Sequence, residues 1–421
     1  MESYPFLVID LKSFYASVEC VERGLDPMTA NLVVADPDRS KNPLCLAVTP
    51  AMKKLGVPGR CRLQEIPGSI NYIVARPRMK RYLDCSARIY GIYLKYLSRD
   101  DIHVYSVDEA FLHVSPYLSL YQMTSRELAR TIMKDILDST GIPAACGMGT
   151  NLYLAKVALD LTAKHSGDFL GCLDEKTYRE ILWNHRPLTD FWRIGTGTAR
   201  KLAAVGVTTM GELAHFDEDV LYQMFGIDGE LLMDHAWGRE PVTIADIKAY
   251  APKSRHLTSG QVLMKDYSYE SGKLIVKEMM DQLCLDLVRK NLVTDSLTLN
   301  IGYSRACSTD PARGTASLPM ETNADAVMIP SILRLYEKIA TPGSPIRRIN
   351  ISCNHVVPET CLQYSLFDSP KSLERARKLQ QAVLEIRDKY GKGAVMKGVD
   401  LLEDATARQR SQQIGGHRRG E

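Results

Sequence analysis

The stretch HVYSVDEAFLHV, from His103 to Val114, decides how the rest of this sequence is interpreted. Its β-branched and aromatic residues predict a strand or a tight hairpin of a buried sheet. Two adjacent acids, Asp108 and Glu109, interrupt that apolar pattern. A buried carboxylate without a partner is strongly unfavourable, and residues 102–121 contain no Lys or Arg. A hard cation such as Mg2+ is therefore the natural partner.

A third acid, Asp10, favours a metal site over a plainer alternative. In that alternative, one acid of the pair faces solvent at a hairpin tip and the other caps a backbone group. Asp10 ends the apolar strand 5–9, and the segment 13–23 that follows has helical spacing. Folds of the α/β class place ligands at such strand ends. If the two strands are neighbours, Asp10, Asp108 and Glu109 converge, and three carboxylates holding two metal ions suit in-line attack at a phosphorus atom.

Composition narrows the class of protein. A chain of 421 residues that is 45% hydrophobic is expected to form more than one domain. The formal net charge is only +3, but the residues after Thr243 are net basic and those before are net acidic. An acidic part for metals and a basic part for phosphates suits nucleic acid better than a membrane. The alternative is that the basic segments are merely solvated surfaces.

The cysteines and histidines argue against two other classes. The ten cysteines include no C-x-x-C pair, and the nine histidines include no H-E-x-x-H. This argues against a zinc site and against a secreted disulfide framework. No signal peptide precedes the first strand, and no apolar run approaches the ~20 residues that span a bilayer. We expect a soluble cytoplasmic protein with no membrane partner.

The two acidic segments together resemble a known family. VIDLKSFYASVE, beginning at Val8, and YSVDEAFL, beginning at Tyr105, resemble the palm signature of the Y-family, or translesion, DNA polymerases. The resemblance continues through GMGTNLYLAK at 147–156, a thumb-like glycine hairpin and a C-terminal QYSLF, so it covers nearly the whole chain. In detail, the sequence is most similar to the bacterial UV-damage-repair branch of that family.

The resemblance implies an α/β multidomain fold. This is a right-hand polymerase with a palm, small fingers, a helical helix-hairpin-helix thumb and a β-α-β-β-α-β little finger. The expected bounds are 1–24 and 76–171 for the two parts of the palm, 25–75 for the fingers, 172–243 for the thumb, 244–254 for a linker, 255–358 for the little finger and 359–421 for a C-terminal tail. The end of the tail, residues 415–421, is expected to be mobile.

The implied function is template-directed DNA synthesis past damaged bases, with low fidelity. Nucleotidyl transfer would run from a dNTP to a primer 3′-hydroxyl. Asp10, Asp108 and Glu109 would be the catalytic residues and, with the carbonyl of Leu11, would bind two Mg2+ ions. Primer-template DNA and dNTP would be the substrates, the sliding clamp would be a partner, and SOS accessory proteins are possible partners.

The resemblance also implies which side chains contact the nucleotide. Tyr15 stands where the family has its steric gate, an aromatic ring that leaves no room for a 2′-hydroxyl. Phe14 is in helical register with Val18 and Val21, so Phe14 is expected in the core and Tyr15 is freed for the gate. Relatives tend to carry arginine on the fingers helix, whereas this chain has lysine, which supplies charge without a bidentate fork. The implied nucleotide-binding residues are Phe14, Tyr15, Lys53 and Lys164.

Two further regions are expected to contact DNA. Gly195 and Gly197 lie between two helical segments, and they let backbone N–H groups approach a phosphate. In residues 296–304, apolar and polar side chains alternate, so one face of that strand is core and the other is free to lie on a DNA backbone. The candidate phosphate contacts are Lys253, Arg255, Arg305, Arg347 and Arg348, each with a plain surface role as the alternative.

The segment QYSLF resembles the short anchor with which polymerases bind the sliding clamp. Gln363, Leu366 and Phe367 would make that contact. Two rival functions remain from the sequence alone. One is a nucleotidyl cyclase, whose palm shares the acidic pair but has no use for the thumb-like hairpin or the clamp motif. The other is a non-catalytic DNA-binding scaffold, against which the intact set of three acids argues.

Overall fold

The computed structural model describes residues 4–40, 42–252, 255–360 and 370–420, with the backbone alone for 370, 372 and 373. The chain is mixed α/β and divides into two compact units. The first comprises Met1–Tyr250 with Gly420–Glu421, and the second comprises Ala251–Arg419. Within the described ranges, no helix is both long enough and apolar enough to cross a membrane. The nine cysteines in those ranges are free thiols.

The first unit begins with alternating strands and helices and ends with helices only. Its elements are β1 (Phe6–Leu11), α1 (Phe14–Val21), β2 (Leu32–Val34), β3 (Ala47–Val48), α2 (Pro50–Lys54), β4 (Ile73–Ala75), α3 (Met79–Tyr93), β5 (Ile102–Val104), β6 (Glu109–His113), α4 (Ser115–Tyr121), α5 (Ser125–Thr140), β7 (Ala144–Gly149), α6 (Leu152–Val157), β8 (Leu170–Leu173), α7 (Glu175–Leu182), α8 (Thr196–Ala204), α9 (Met210–Ala214), α10 (Glu218–Phe225), α11 (Ile227–Trp237) and α12 (Ile244–Ala249).

A five-stranded sheet forms the centre of the first unit, in the order β5-β6-β1-β7-β8. The central strand β1 is antiparallel to both β6 and β7, and β7 is parallel to β8. The apolar run Leu7, Val8 and Ile9 is fully buried because both faces of β1 are covered. The segment 103–114 therefore forms a hairpin of β5 and β6. Its second strand, β6, lies beside β1, as the convergence of the three acids required. A separate small sheet has the order β3-β2-β4.

Two glycines let α6 pack directly on the sheet. A Cβ added at Gly147 would lie 2.2 Å from the carbonyl oxygen of Ala155, and one added at Gly149 would lie 2.2 Å from the amide nitrogen of Ala155. A glycine-rich turn before a helix can bind phosphate. These glycines instead permit close packing of helix on strand, which fixes the position of every side chain that α6 carries.

We expect Gly147→Ala to lower the free energy of unfolding by about 1–3 kcal/mol, because the added methyl overlaps main-chain atoms of the helix. Gly91→Ala is the matched control, since a Cβ at Gly91 in α3 would meet nothing within 4 Å. That control should be neutral or stabilising by up to about 1 kcal/mol. Urea unfolding followed by circular dichroism measures both. Equal effects of the two substitutions would contradict the close contact of α6 with β7.

The second unit is a sheet with two long helices packed on one face. Its elements are β9 (Leu257–Tyr267), α13 (Tyr269–Arg289), β10 (Leu292–Tyr303), β11 (Ala312–Thr322), α14 (Asp325–Ile339), β12 (Ile346–Asn354), β13 (Val357–Pro358), α15 (Pro370–Tyr390), α16 (Ala407–Ser411), β14 (Gln413–Ile414) and β15 (His417–Arg418). The order of the main strands is β11-β10-β12-β9. In β10 the side chains of Leu297, Leu299 and Ile301 are buried, as the alternating pattern predicted.

The opposite face of this sheet is less open than the alternation suggested. Ser296 and Thr298 were expected on a free polar face, but both are buried. Asn354 donates hydrogen bonds to their hydroxyl oxygens, at 3.2 Å for Ser296 and 2.9 Å for Thr298. Polar residues on neighbouring strands can satisfy each other, and a single strand's pattern does not reveal this. The exposed part of the face begins further along β10, near Asn300.

The expectation of a linker at 244–254 is partly wrong. Residues Ile244–Ala249 form α12, and the capping box of Thr243 and Asp246 begins it. Ile244 is buried in the same cluster as Val8 of β1 and Phe111 of β6, so the helix belongs to the first unit. Six helical residues with one buried position give too weak a periodicity to be recognised in the sequence.

The expectation of a mobile end at 415–421 is also wrong for residues 415–418, which form the turn and the second strand of the hairpin β14–β15. The preceding segment is bound to α13. Thr406 donates hydrogen bonds to Glu278 from its amide at 2.9 Å and from its hydroxyl at 3.0 Å. Lys397 pairs with Asp281 and Asp325. Buried acids on α13 need such partners, and the spacing of the later residues gives no sign that they supply them.

Candidate active site

The pairing of β1 with β6 brings the three acids together. Asp10 lies directly opposite Glu109 in the antiparallel register. The amide of Leu11 donates to the carbonyl oxygen of Asp108 at 2.9 Å, which ties the end of β1 to the hairpin turn. Asp10 follows Val8 by two positions, so it lies on the face of the sheet that α6 covers. The backbone alone therefore places Asp10, Leu11, Asp108 and Glu109 at one end of two neighbouring strands.

Two lysines from beyond β7 meet these acids. Lys156 Nζ lies 2.8 Å from Glu109 Oε1, and Lys164 Nζ lies 3.3 Å from Asp10 Oδ2. The lack of Lys or Arg in residues 102–121 had suggested that only a metal could compensate the acids. That inference was incomplete, because the compensating cations come from a helix that lies some fifty residues further along the chain. Lys156 is as buried as Glu109, whereas Lys164 is partly open to solvent.

Burial disfavours the ionised forms of Asp10 and Glu109 despite these lysines. Burial raises the pKa of Asp10, and the charge of Lys164 opposes that rise. Burial likewise raises the pKa of Glu109, with the charge of Lys156 in opposition. For Lys164 burial alone would lower the pKa, but the charges of Asp10 and Asp160 outweigh it and the pKa is raised. Additional positive charge at this place would therefore stabilise both carboxylates in their ionised form.

The donor atoms suit a hard divalent cation. Glu109 Oε1 is buried and accepts no hydrogen bond, although Lys156 is near it. The hydroxyl of Ser106 donates to Asp108 Oδ1 at 2.6 Å, which orients that carboxylate. Carboxylate and carbonyl oxygens are the ligands that Mg2+ prefers. However, no three His, Cys, Asp or Glu side chains in the described part of the chain are close enough to share one ion.

The two aromatic residues of α1 have different environments. Phe14 is 2% exposed and packs in the core, as its helical register predicted. The additional expectation, that Phe14 contacts the nucleotide, is therefore not supported. Tyr15 is half-buried and stacks on Tyr82, with ring centroids 4.5 Å apart. Burial, and to a smaller extent the charge of Asp108, raise the pKa of Tyr15. Tyr15 therefore lies near Asp108, and Tyr82 packs against one face of its ring.

Two more lysines add positive charge around Asp10. Lys53, on α2, interacts electrostatically with Asp10 and Lys164, and partial removal of water lowers its pKa. Lys12 was missed by the sequence reasoning. Its ammonium lies 3.8 Å from the ring centroid of Phe169, and burial lowers its pKa while Asp10 opposes the change. A lysine two residues after Asp10 was the available signal.

Asp160 is the second residue that the sequence reasoning missed. It accepts hydrogen bonds from Lys156 at 3.3 Å and from Lys164 at 2.9 Å, and so lies between the two lysines. The sequence that follows the glycine-rich turn at 147–151 predicts one continuous helix from Leu152 to Ala163. The structure instead has α6 followed by one π turn, Ala158–Thr162, and a short 3-10 helix, Ala163–His165. Spacing alone cannot reveal a π turn, because the sequence pattern of the flanking helix is unchanged.

The candidate DNA contacts fall into three groups. Gly195 and Gly197 are exposed at the start of α8, and a Cβ at either would meet nothing within 4 Å. Arg255, Arg305 and Arg348 are exposed, whereas Arg347 pairs with Asp266 at 3.3 Å. Arg313, opposite Asn300 and exposed on the outer face, was missed. The last DNA-contact candidate, Lys253, lies outside the described residues, and so do the clamp-binding candidates Gln363, Leu366 and Phe367.

Comparison with known proteins gives consistent matches along the chain. Residues 9–160 match the model of the impB/mucB/samB family, and residues 256–366 match that of the impB/mucB/samB family C-terminal domain. The chain is 29% identical to the putative UV-damage repair protein UvrX of Bacillus subtilis (strain 168), over 98% of this chain and 97% of that protein. It is 26% identical to DNA polymerase IV 2 of the same strain, over 99% of each.

A solved structure shows the same fold. A Y-family DNA polymerase chimera superposes with a TM-score of 0.65, at 20% sequence identity, and the match covers 84% of this chain and 99% of the chimera. At this identity the likeness concerns the fold alone. The relatives are matched from end to end, so the similarity includes both units of the chain.

Proposed function

Because the chain belongs to the impB/mucB/samB family, the Y-family of DNA polymerases, we propose that Asp10, Asp108 and Glu109 carry out its nucleotidyl transfer with two bound metal ions. The protein is a DNA-directed DNA polymerase of the translesion type, and primer-template DNA and dNTP are its substrates. The observation that carries the proposed mechanism is the register that sets Asp10 opposite Glu109, with Leu11 bonded to Asp108.

The acidic side chains and Lys164 would have different roles in the reaction. Asp10, Asp108 and Glu109, with the carbonyl of Leu11, would hold two Mg2+ ions. When bound, the ions supply activation of the primer 3′-hydroxyl and stabilisation of the charge on the triphosphate and pyrophosphate. Lys164 would exchange its contact with Asp10 for one with a phosphate, and its partly exposed ammonium is accessible for this.

The remaining residues would bind and orient the nucleotide. Lys53 and Lys12 would add positive charge beside the triphosphate, because both interact with Asp10. Lys156 would stay with Glu109, since both side chains are buried. The ring of Tyr15, stacked on Tyr82, would occupy the space below the incoming sugar and exclude a 2′-hydroxyl. No side-chain nucleophile is required.

We assign the parts of the right hand on the same basis. The five-stranded sheet would be the palm, the small sheet with α2 the fingers, and helices α7 to α11 the helix-hairpin-helix thumb. The second unit would be the little finger, with Arg255, Arg305, Arg313 and Arg348 towards the DNA backbone. With α12 packed on the first unit, the linker shortens to the residues around the boundary at Tyr250.

The remaining proposals concern fidelity, processivity, partners and location. A segment of about fifty residues offers little surface to test base-pair geometry, so we expect low fidelity, low processivity and tolerance of damaged templates. The QYSLF segment would raise processivity by tethering the enzyme to the sliding clamp. SOS accessory proteins are possible partners, and a cytoplasmic location agrees with the free thiols. The family membership decides against the nucleotidyl cyclase.

Primer extension tests this function. Purified protein, Mg2+ and each single dNTP are incubated with undamaged and abasic templates, with and without sliding clamp. We expect templated but error-prone extension, which the clamp strengthens. Leu366→Ala with Phe367→Ala should remove only the effect of the clamp, and Leu379→Ala, an exposed leucine of α15, is the control. Absence of extension while DNA binding is intact would favour the non-catalytic scaffold.

A further inference from the structure

The helix that carries both active-site lysines changes its winding between them. It is an α-helix as far as Val157, a π turn over Ala158–Thr162 and a 3-10 helix over Ala163–His165. Asp160 lies at the centre of the π turn, four residues from Lys156 on one side and four from Lys164 on the other. Single π turns inside helices frequently occur at functional sites.

The π turn determines which side chains share a face. In a regular α-helix each residue advances by about 100°, so two lysines eight residues apart would lie about 80° apart around the axis. A π turn takes up about one additional residue, and this returns the second lysine to the face of the first. Asp160 lies four residues from each lysine, a spacing that brings side chains together in any helix. Its Oδ2 lies 3.0 Å from Lys156 Nζ, and its Oδ1 lies 2.9 Å from Lys164 Nζ.

The sheet holds the wider turn in place. A Cβ added at Gly147 would lie 2.2 Å from the amide nitrogen of Leu159. One added at Gly171 of β8 would lie 1.9 Å from the hydroxyl of Thr162, which itself donates to the carbonyl oxygen of Ala158. Glycines on two neighbouring strands therefore make room for the turn. This packing fixes the backbone of Asp160 independently of the charges around it.

The contacts form a continuous row of alternating charge: Glu109, Lys156, Asp160, Lys164 and Asp10. The proposed function requires Lys164 to move from Asp10 to a phosphate. When it leaves Asp10 for a phosphate, Asp160 is the carboxylate that still contacts it. The side chains of Asp160 and Lys164 are 26% and 33% exposed, so a phosphate can approach without displacing Asp160.

We propose that Asp160 is a positioning residue, which through its contact with the ammonium holds Lys164 towards the incoming triphosphate. The inference rests on the proposed function of Lys164. Asp160 would not touch the nucleotide. It would keep the ammonium of Lys164 in one orientation after the contact with Asp10 is broken, and it would also keep Lys164 from closing permanently onto Asp10. Residues that orient a binding group in this way typically matter 10- to 100-fold.

The test is Asp160→Asn, which keeps the shape and removes the charge. We expect the equilibrium dissociation constant of the next correct dNTP, measured on a dideoxy-terminated primer, to rise about tenfold. The KM for dNTP should rise in parallel, while kcat changes by less than about threefold. Asp160→Glu should recover part of the affinity. Asp138→Asn is the matched control, because Asp138 forms an exposed pair with Lys134 four residues earlier, and it should change neither constant.

Three outcomes would overturn the inference. Unchanged dNTP affinity with reduced kcat would assign Asp160 to the chemical step, and unchanged values of both would leave it no role. A loss of affinity that follows only a fall in melting temperature, with Asp160→Glu equally affected, would make the residue structural. A wild-type protein that incorporates no nucleotide would instead defeat the proposed function, so the two failures are distinguishable.

Discussion

Asp108→Asn is expected to reduce single-nucleotide incorporation by about 10³-fold or more, a loss of about 4 kcal/mol of transition-state stabilisation. Asparagine has nearly the same volume and can still accept from Ser106, which donates to the aspartate at 2.6 Å. It lacks the negative charge that a divalent cation requires. Rapid-quench measurement of one incorporation event gives the rate, and fluorescence anisotropy with labelled primer-template gives DNA affinity, which should change less than about twofold.

A matched substitution separates loss of charge from loss of structure. Asp84→Asn removes an exposed acid of the same unit, one that pairs with Lys80 at 2.9 Å. It should leave incorporation within about twofold of the wild type, because surface pairs of this kind contribute little. If Asp108→Asn retained substantial incorporation, Asp108 would not be a metal ligand and the site assignment would be wrong.

Tyr15→Ala is expected to raise the efficiency of ribonucleotide incorporation, relative to the matching deoxynucleotide, by about 10²-fold. The ring is held by stacking on Tyr82 at 4.5 Å, and Tyr82 is itself fixed by its hydrogen bond to Glu19 at 2.8 Å. Removal of the ring opens space for a 2′-hydroxyl. The measurement is kcat/KM for each nucleotide of the pair on one template.

Tyr15→Phe is the control for this experiment. The proposed gate depends on the volume of the ring and not on its hydroxyl, so the phenylalanine variant should discriminate between sugars as the wild type does. A melting curve for each variant shows whether loss of the stack with Tyr82 disturbs the fold. Unchanged discrimination in a folded Tyr15→Ala variant would remove Tyr15 from the gate.

The pairing of the two strands that carry the acids could be predicted from the sequence for a simple reason. The apolar runs around Asp10 and around Asp108 and Glu109 are strong enough to define two strands, and a polar residue within such a run stands out. The register that joins them follows once the strands pair. The main strands and helices of the second unit were predicted for the same reason, because each has a clear period over many residues.

The contacts that pair each acid with its own lysine could not be predicted in the same way. Lys156 meets Glu109 because glycines let α6 pack closely on β7, and Lys164 reaches Asp10 only because a π turn follows. From the sequence alone, Asp160 is predicted to be an ordinary polar residue of a helix. These contacts depend on tertiary packing, which overrides local periodicity.

The C-terminal segment illustrates a related limit. Glu278 and Asp281 lie within α13, where charged residues usually face solvent. They are buried because Thr406 and Lys397, more than a hundred residues later, bind them. Neither partner has a spacing or composition that signals this, so the sequence assigned the segment only to the C-terminal tail.

The most direct measurement is anomalous diffraction from Mn2+ in crystals of the protein with primer-template DNA and a non-hydrolysable dNTP. Our account predicts two manganese peaks among the carboxylates of Asp10, Asp108 and Glu109, with Lys164 turned from Asp10 to a phosphate oxygen. Ordered nucleotide with no manganese at these carboxylates, or with manganese bound elsewhere, would contradict it.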